Sequence, residues 1–163
     1  MSGITETLRV LHHGEGALAD GLAAAAERHA AEHEVHHVAL DLAAWSARHR
    51  AVLAATAKRY GLELPGGPDD HPGGPSAAAR KEVPEVLGHR PEPGIALLCD
   101  LRDLHLAATG NSLYWEMLGQ AAQATRDQEL LGVVADCHPQ TLRQMRWTNA
   151  MIKVLSPQAL SSP

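Results

Sequence analysis

Phenylalanine is absent from the 163 residues, and three tryptophans and two tyrosines hold the aromatic share to 3%. Strands draw on aromatic and β-branched side chains, so this scarcity argues against a sheet-rich fold. Alanine is abundant instead, which favours helices. Cysteine is scarce as well. Cys99 and Cys137 stand alone without CxxC spacing, which excludes a disulfide framework. Basic residues are not in excess: the net charge is −5 and no basic stripe runs along the chain, so nucleic acid is not an expected partner. No apolar run approaches the eighteen or so residues that a membrane span needs. The first thirty residues lack the basic and continuous apolar regions of a signal peptide. These absences together predict a cytoplasmic protein with reduced thiols. What is present, 45% apolar and 20% charged residues, suffices for one globular domain over 1–163.

Proline and glycine are concentrated rather than spread. Seven of the ten prolines and seven of the fourteen glycines lie between Gly61 and Gly94. This reads as one long connection over 61–94, with room for a short helix from Ser76 to Leu87. On either side the apolar spacing is helical. It predicts helices over about 5–33, 35–60, 95–124 and 126–155. The first seam is Leu8, Leu11, Glu15, Leu18, Leu22, Ala25 and His29. A second, out of phase by one position, is Val35, Val38, Leu42, Trp45, His49, Val52 and Thr56. The phase change places a turn near His33–His36; the alternative is one helix of over fifty residues needing a partner chain. The third seam runs Leu98, Leu101, His105, Ala108, Ser112, Trp115 and Ala122. Thr125 with Gln128 resembles a capping box for the fourth helix. The fourth seam is Leu131, Val134, His138, Thr141, Met145, Thr148 and Ile152, with Pro139 predicted to kink or break it. Cys99 and Cys137 fall about sixteen residues apart along this hairpin, roughly 24 Å, too far for a disulfide.

Ionisable side chains on apolar seams carry the functional information, because a buried charge must be paired or metal-bound. Glu15, His49 and His138 each occupy a seam position on a different helix. At about 1.5 Å per residue their levels along the bundle agree within roughly 8 Å. Glu116 and Asp136 fall at a similar depth, off the seams. Two readings follow: a divalent metal ion (Fe, Zn or Mn) held by carboxylate and imidazole, or a buried Glu–His hydrogen-bond network without metal. A second group, His29, Asp41, Asp103 and His105, comes to a common level near the histidine-rich turn. It reads as an adventitious metal site or as a solvated helix end.

Four helices joined by a short turn, a long connection and a short turn form an all-α four-helix bundle with a long helix 2–3 crossover. This plan resembles the ferritin-like superfamily. Its di-iron members place Glu on helices 1 and 3 and Glu-x-x-His on helices 2 and 4. Glu15 and Glu116 fit the two single glutamates, and His49 and His138 the two histidines. Ser46 and Ala135 stand where both bridging glutamates belong. The resemblance therefore implies a degenerate site, with Glu15, His49, His138 and Glu116 as candidate ligands. It also implies pairing of two copies through helices 1 and 2, where Leu40 and Val10 are available. The rival reading is a non-enzymatic interaction or scaffold protein that dimerises or docks a protein partner. No motif assigns an enzyme activity. Trp45, Trp115 and Trp147 read as core or interface.

Overall fold

The computed structural model describes residues 2–66 and 92–161. Four helices account for nearly all of them: α1 (Gly3–Arg28), α2 (His33–Arg59), α3 (Pro93–Ala124) and α4 (Gln128–Ser161). Ser2 starts α1 by accepting a hydrogen bond from the Thr5 backbone N–H, a conventional N-cap. The first turn lies earlier than the phase change suggested, at residues 29–32. There the His29 N–H closes on Ala25 O, the Glu32 N–H on His29 O, and the His36 ring on Ala26 O. The first is still a helical bond; the other two take the His29 and Ala26 carbonyls that a continuous helix would have used, so the chain breaks without glycine or proline.

The ends of α2 and α3 follow one design. At Tyr60, Gly61 adopts φ 75° and the Leu62 N–H reaches back to Ala57 O. At Thr125, Arg126 adopts φ 56° and the Asp127 N–H reaches Ala122 O. Both are Schellman closures, which favour glycine at the left-handed position. Gly61 meets that demand, whereas Arg126 adopts the conformation at a cost of about 1 kcal/mol. Thr125 spends its hydroxyl on Ala121 O, and Asp127 accepts from the Leu130 N–H. The cap of α4 is therefore Asp127 rather than Thr125.

Arg59 and Tyr60, at the end of α2, both donate to Asp127 in the α3–α4 turn. Arg28 and His29, at the end of α1, both meet Asp100 near the start of α3. Hence α2 and α3 run parallel; after Gly61 the chain turns back along the bundle, with Pro65 O bonded to the His12 ring and Gly66 against Ala54, while residue 92 lies at the other end. The predicted Ser76–Leu87 helix falls outside the described residues. α1 packs on α2 and α3, and α4 packs on α3 and more loosely on α2, so α1/α4 and α2/α3 are the diagonals. α4 continues as helix through Pro139 and Pro157, so of the kink or break expected at Pro139 the break does not occur. The loss of one donor per proline is tolerable here because Ala135, four residues before Pro139, is exposed and its carbonyl can be hydrated. No helix among the described residues is long and apolar enough to cross a membrane. Both cysteines are free.

The core divides along the axis. Leu8, Leu11, Leu53, Trp115, Leu118, Val134 and Cys137 fill one end. Leu18, Leu22, Ala39, Leu42, Leu104 and Ala108 fill the middle of the other half, and Val35, Leu97, Leu101 and Met151 close it. In α1, Glu15 lies between the two apolar ends, four residues after Leu11 and three before Leu18.

The Asp127 carboxyl is held down to about 2, first by the Tyr60 hydroxyl, then by the Leu130 N–H and Arg59. An unfolded aspartate titrates near 3.9. The folded group is the stronger acid, so its contribution is complete above about pH 4 and disappears as pH falls toward 2. Asp127→Asn keeps the cap and loses the charge. We expect it to be less stable than wild type at pH 7 in urea unfolding, with the difference closing between about pH 4 and 2. A difference that persists at the acid end would refute the assignment.

Candidate functional site: a polar layer across four helices

Glu15 and His49 are both fully buried, on neighbouring helices, with His49 Nδ1 2.9 Å from Glu15 Oε2. The other carboxylate oxygen, Oε1, accepts from Asn111 Nδ2 on α3 at 3.1 Å. The other ring nitrogen, His49 Nε2, lies 2.8 Å from Gln140 Oε1 on α4. Next to these four residues, His138 on α4 shares a 2.9 Å hydrogen bond with Ser112 on α3. Each of the four helix–helix edges is thus hydrogen-bonded at one level: α3–α1, α1–α2, α2–α4 and α4–α3. Gln144 adds to the loosely packed α2–α4 edge by donating to Leu42 O at 3.0 Å and to Ser46 Oγ at 2.9 Å.

The belt fixes where the protons are. Arg48 Nη2 donates to the same Gln140 atom that faces His49. Guanidinium nitrogens only donate, so this atom is the amide oxygen and cannot be exchanged for the NH2 group. An oxygen that accepts from Arg48 can only accept from His49 as well, so His49 Nε2 carries a hydrogen. A second proton lies between Nδ1 and Glu15, since a bare nitrogen lone pair 2.9 Å from a carboxylate oxygen would repel it. The pair as a whole is therefore uncharged, which removes most of the cost of burying it.

Two further residues shape the layer. A Cβ on Gly14 would lie 2.3 Å from Asn111 Oδ1, so only glycine there leaves room for the Asn111 side chain to reach Glu15. Trp115 presents its ring edge-on to His49, with centroids 5.9 Å apart and planes at 83°. Burial, and then the negative charge of Glu15, push the Cys137 thiol up to about 12. It remains a thiol and has no nucleophilic character.

Of the four candidate ligands, Glu15 and His49 meet, His138 pairs with Ser112, and Glu116 faces solvent. Among the described residues no group of three or more His, Cys, Asp or Glu is placed to hold a metal ion. His138 misses the pair because the buried seam of α4 is Leu130, Val134, Cys137, Thr141, Gln144, Thr148 and Met151. The sequence seam took several positions one residue later and so put His138 at the centre. The second predicted group separates too. His29 bonds Asp100 at 2.7 Å, His105 bonds Thr148 at 2.9 Å, Asp103 pairs with Arg102, and Asp41 is exposed. Burial works to raise the Asp100 carboxyl, but hydrogen bonds from His29 and Arg28 outweigh it and hold the group below its usual range.

The chemistry of the donors does not fit the metal that the ferritin-like resemblance implies. Both Glu15 oxygens are engaged by neutral or cationic donors. A cation at His49 Nε2 would displace its hydrogen and lie beside the Arg48 guanidinium. Sequence reasoning missed Asn111, Ser112 as a partner, Gln140, Gln144 and Arg48. The signal for Asn111 was its place on the seam Leu104, Ala108, Asn111, Trp115, Leu118, one step from the seam chosen. No protein-family model, curated protein or solved structure matches the chain.

A buried pair of this kind is expensive to halve and cheap to remove whole. We expect Glu15→Leu and His49→Leu each to cost about 3 kcal/mol, because each leaves its partner uncompensated. The double variant should be destabilised by clearly less than the sum. Strict additivity in urea unfolding would show that the two side chains do not depend on each other.

Proposed function

We propose that the protein is a metal-free interaction or scaffold bundle, in which the Glu15–His49 pair stands where the ferritin-like resemblance calls for a metal centre. The observation that supports this most is the shared Gln140 oxygen. Arg48 and His49 both donate to it, so a positive charge and a ring hydrogen already occupy the only side of His49 that Glu15 leaves open. The absence of both bridging glutamates, with Ser46 accepting from Gln144 instead, points the same way. Two free thiols, one of them deeply buried, suit a cytoplasmic setting.

A second reading keeps a mononuclear site for Fe, Zn or Mn. It is favoured by one fact: a carboxylate and an imidazole from facing helices do converge, 2.9 Å apart. That site would need Gln140 and Arg48 to swing away and water to supply the missing ligands.

Elemental analysis of untagged protein separates the two. The scaffold reading predicts substoichiometric Fe, Zn and Mn, and no change in melting temperature on adding chelator. One equivalent of metal that His49→Ala abolishes, together with a chelator-induced drop in melting temperature, would establish the metal reading instead.

A further inference from the structure

After α2 the chain turns back over the helices it has just left. Between Leu62 and Gly66 burial alternates: Leu62, Leu64 and Gly66 are half-buried, whereas Glu63 and Pro65 are exposed. That alternation has the period of an extended chain with one edge turned inward. Two contacts hold the far end of the segment. The Pro65 carbonyl accepts from the His12 ring on α1, and Gly66 lies so close to α2 that a Cβ on it would overlap the Ala54 Cβ. Residues 62–66 thus bridge α1 and α2, and His12, bonded beneath them, is only 5% exposed. A carbonyl oxygen only accepts, so His12 Nε2 carries a hydrogen. A second proton, on Nδ1, would place a full positive charge in this buried position.

We infer that residues 62–66 are a strap, held across α1 and α2 by the neutral His12 ring and released by acidification. The inference does not depend on the scaffold reading. Its physical basis is that a buried charge needs a partner or water. Among the described residues no carboxylate is paired with His12. Displacing the strap that is bonded to the ring is then the route by which a charged His12 reaches water. What acid uncovers is the surface of α1 and α2 around His12 and Ala54.

The charged groups around the ring favour release. On α1, His13 is adjacent, and Arg9 and Glu15 lie about one turn to either side; Glu15 is already engaged by His49 and Asn111. On α2, Arg50 lies across Gly16, one turn beyond His12, where a Cβ would come within 3.2 Å of its Nε. On the strap, Glu63 is exposed. The buried positions of α3, the other helix packed on α1, hold no ionisable side chain. Burial makes the His12 ring a weaker base than usual; the Pro65 bond works the other way, and Arg50 and then His13 add to the lowering. A free histidine titrates near 6.5. The strapped ring takes up its proton only at lower pH. Strapping is therefore at full strength above about pH 6.5. It weakens by up to tenfold per pH unit below that, until the strapped ring itself is protonated.

The test is an NMR titration of the full chain, following the backbone amides of residues 62–66 and the His12 ring. In wild type we expect these amides to hold fixed positions above about pH 7 and to move toward random-coil positions below about 6.5. They should share one midpoint with His12, while the amides of the four helices stay in place. His12→Gln keeps an N–H at about the reach of Nε2 but does not titrate, so its strap should remain docked at pH 5. It also separates His12 from its neighbour His13. Gly66→Val should displace the strap at any pH by its clash with Ala54, and His12 should then titrate near 6.5. Wild-type strap amides that do not move down to pH 5 would overturn the inference. So would a His12→Gln strap that releases as wild type does, or a His12 midpoint that stays low in Gly66→Val.

Discussion

A carboxylate and an imidazole with no access to water dictate much of what surrounds them. Glu15 cannot remain buried unless both its oxygens are engaged, and His49 cannot unless both its ring nitrogens are. The first demand places Asn111 on α3, and Asn111 in turn requires glycine at position 14. The second demand places Gln140 on α4, whose amide oxygen is locked by Arg48. One pair thus ties the rotation and the axial position of four helices to each other. A shift of any helix by one residue would leave at least one of these groups unsatisfied, at about 1–3 kcal/mol each.

Such a lock has particular value in this composition. The core is made largely of leucine and alanine, and alanine contacts discriminate weakly between neighbouring registers. On α1 and α2 the buried positions include Ala24, Ala25, Ala26, Ala39, Ala43, Ala54 and Ala57. The polar layer, set between two apolar clusters, supplies the directionality that these faces lack. The α2–α4 edge shows this most plainly: it is the least closely packed of the four, and it carries the His49–Gln140 bond and both Gln144 bonds. Its polar links cost little in packing because Ser46 is small.

The fold was largely legible in the sequence, because it depends on features that period and punctuation express directly. Scarce aromatics, 3-4 apolar spacing and one cluster of prolines suffice for four helices with a crossover. The α1 seam, including Glu15, is buried as read. The errors are of phase and of capping. Choosing Leu131 over Leu130, and Met145 over Gln144, rotated α4 by one position and made His138 central, when Cys137 and Gln144 are. The turn at residues 29–32 has no glycine or proline because backbone bonds and the His36 ring end the helix. The pairing of Glu15 with His49 was readable from their levels alone. Their other partners were not: amides and hydroxyls such as Gln140, Asn111 and Ser112 look like ordinary helix-surface residues until the helices are placed. A metal-ligand pattern needs three or four ionisable groups, whereas here uncharged side chains take the places of all but two.

The protonation of His49 tests this account most directly. A histidine-selective 15N spectrum of the folded protein near neutral pH should show Nε2 bearing a slowly exchanging hydrogen. Nδ1 should share a second, strongly deshielded proton with Glu15, and that resonance should vanish in Glu15→Gln. An Nε2 without hydrogen would contradict the account, because Gln140 would then have to present its NH2 group to His49 and could not accept from Arg48. The belt would be open on its α2–α4 side, and the face of His49 that we describe as occupied would be free to bind a metal.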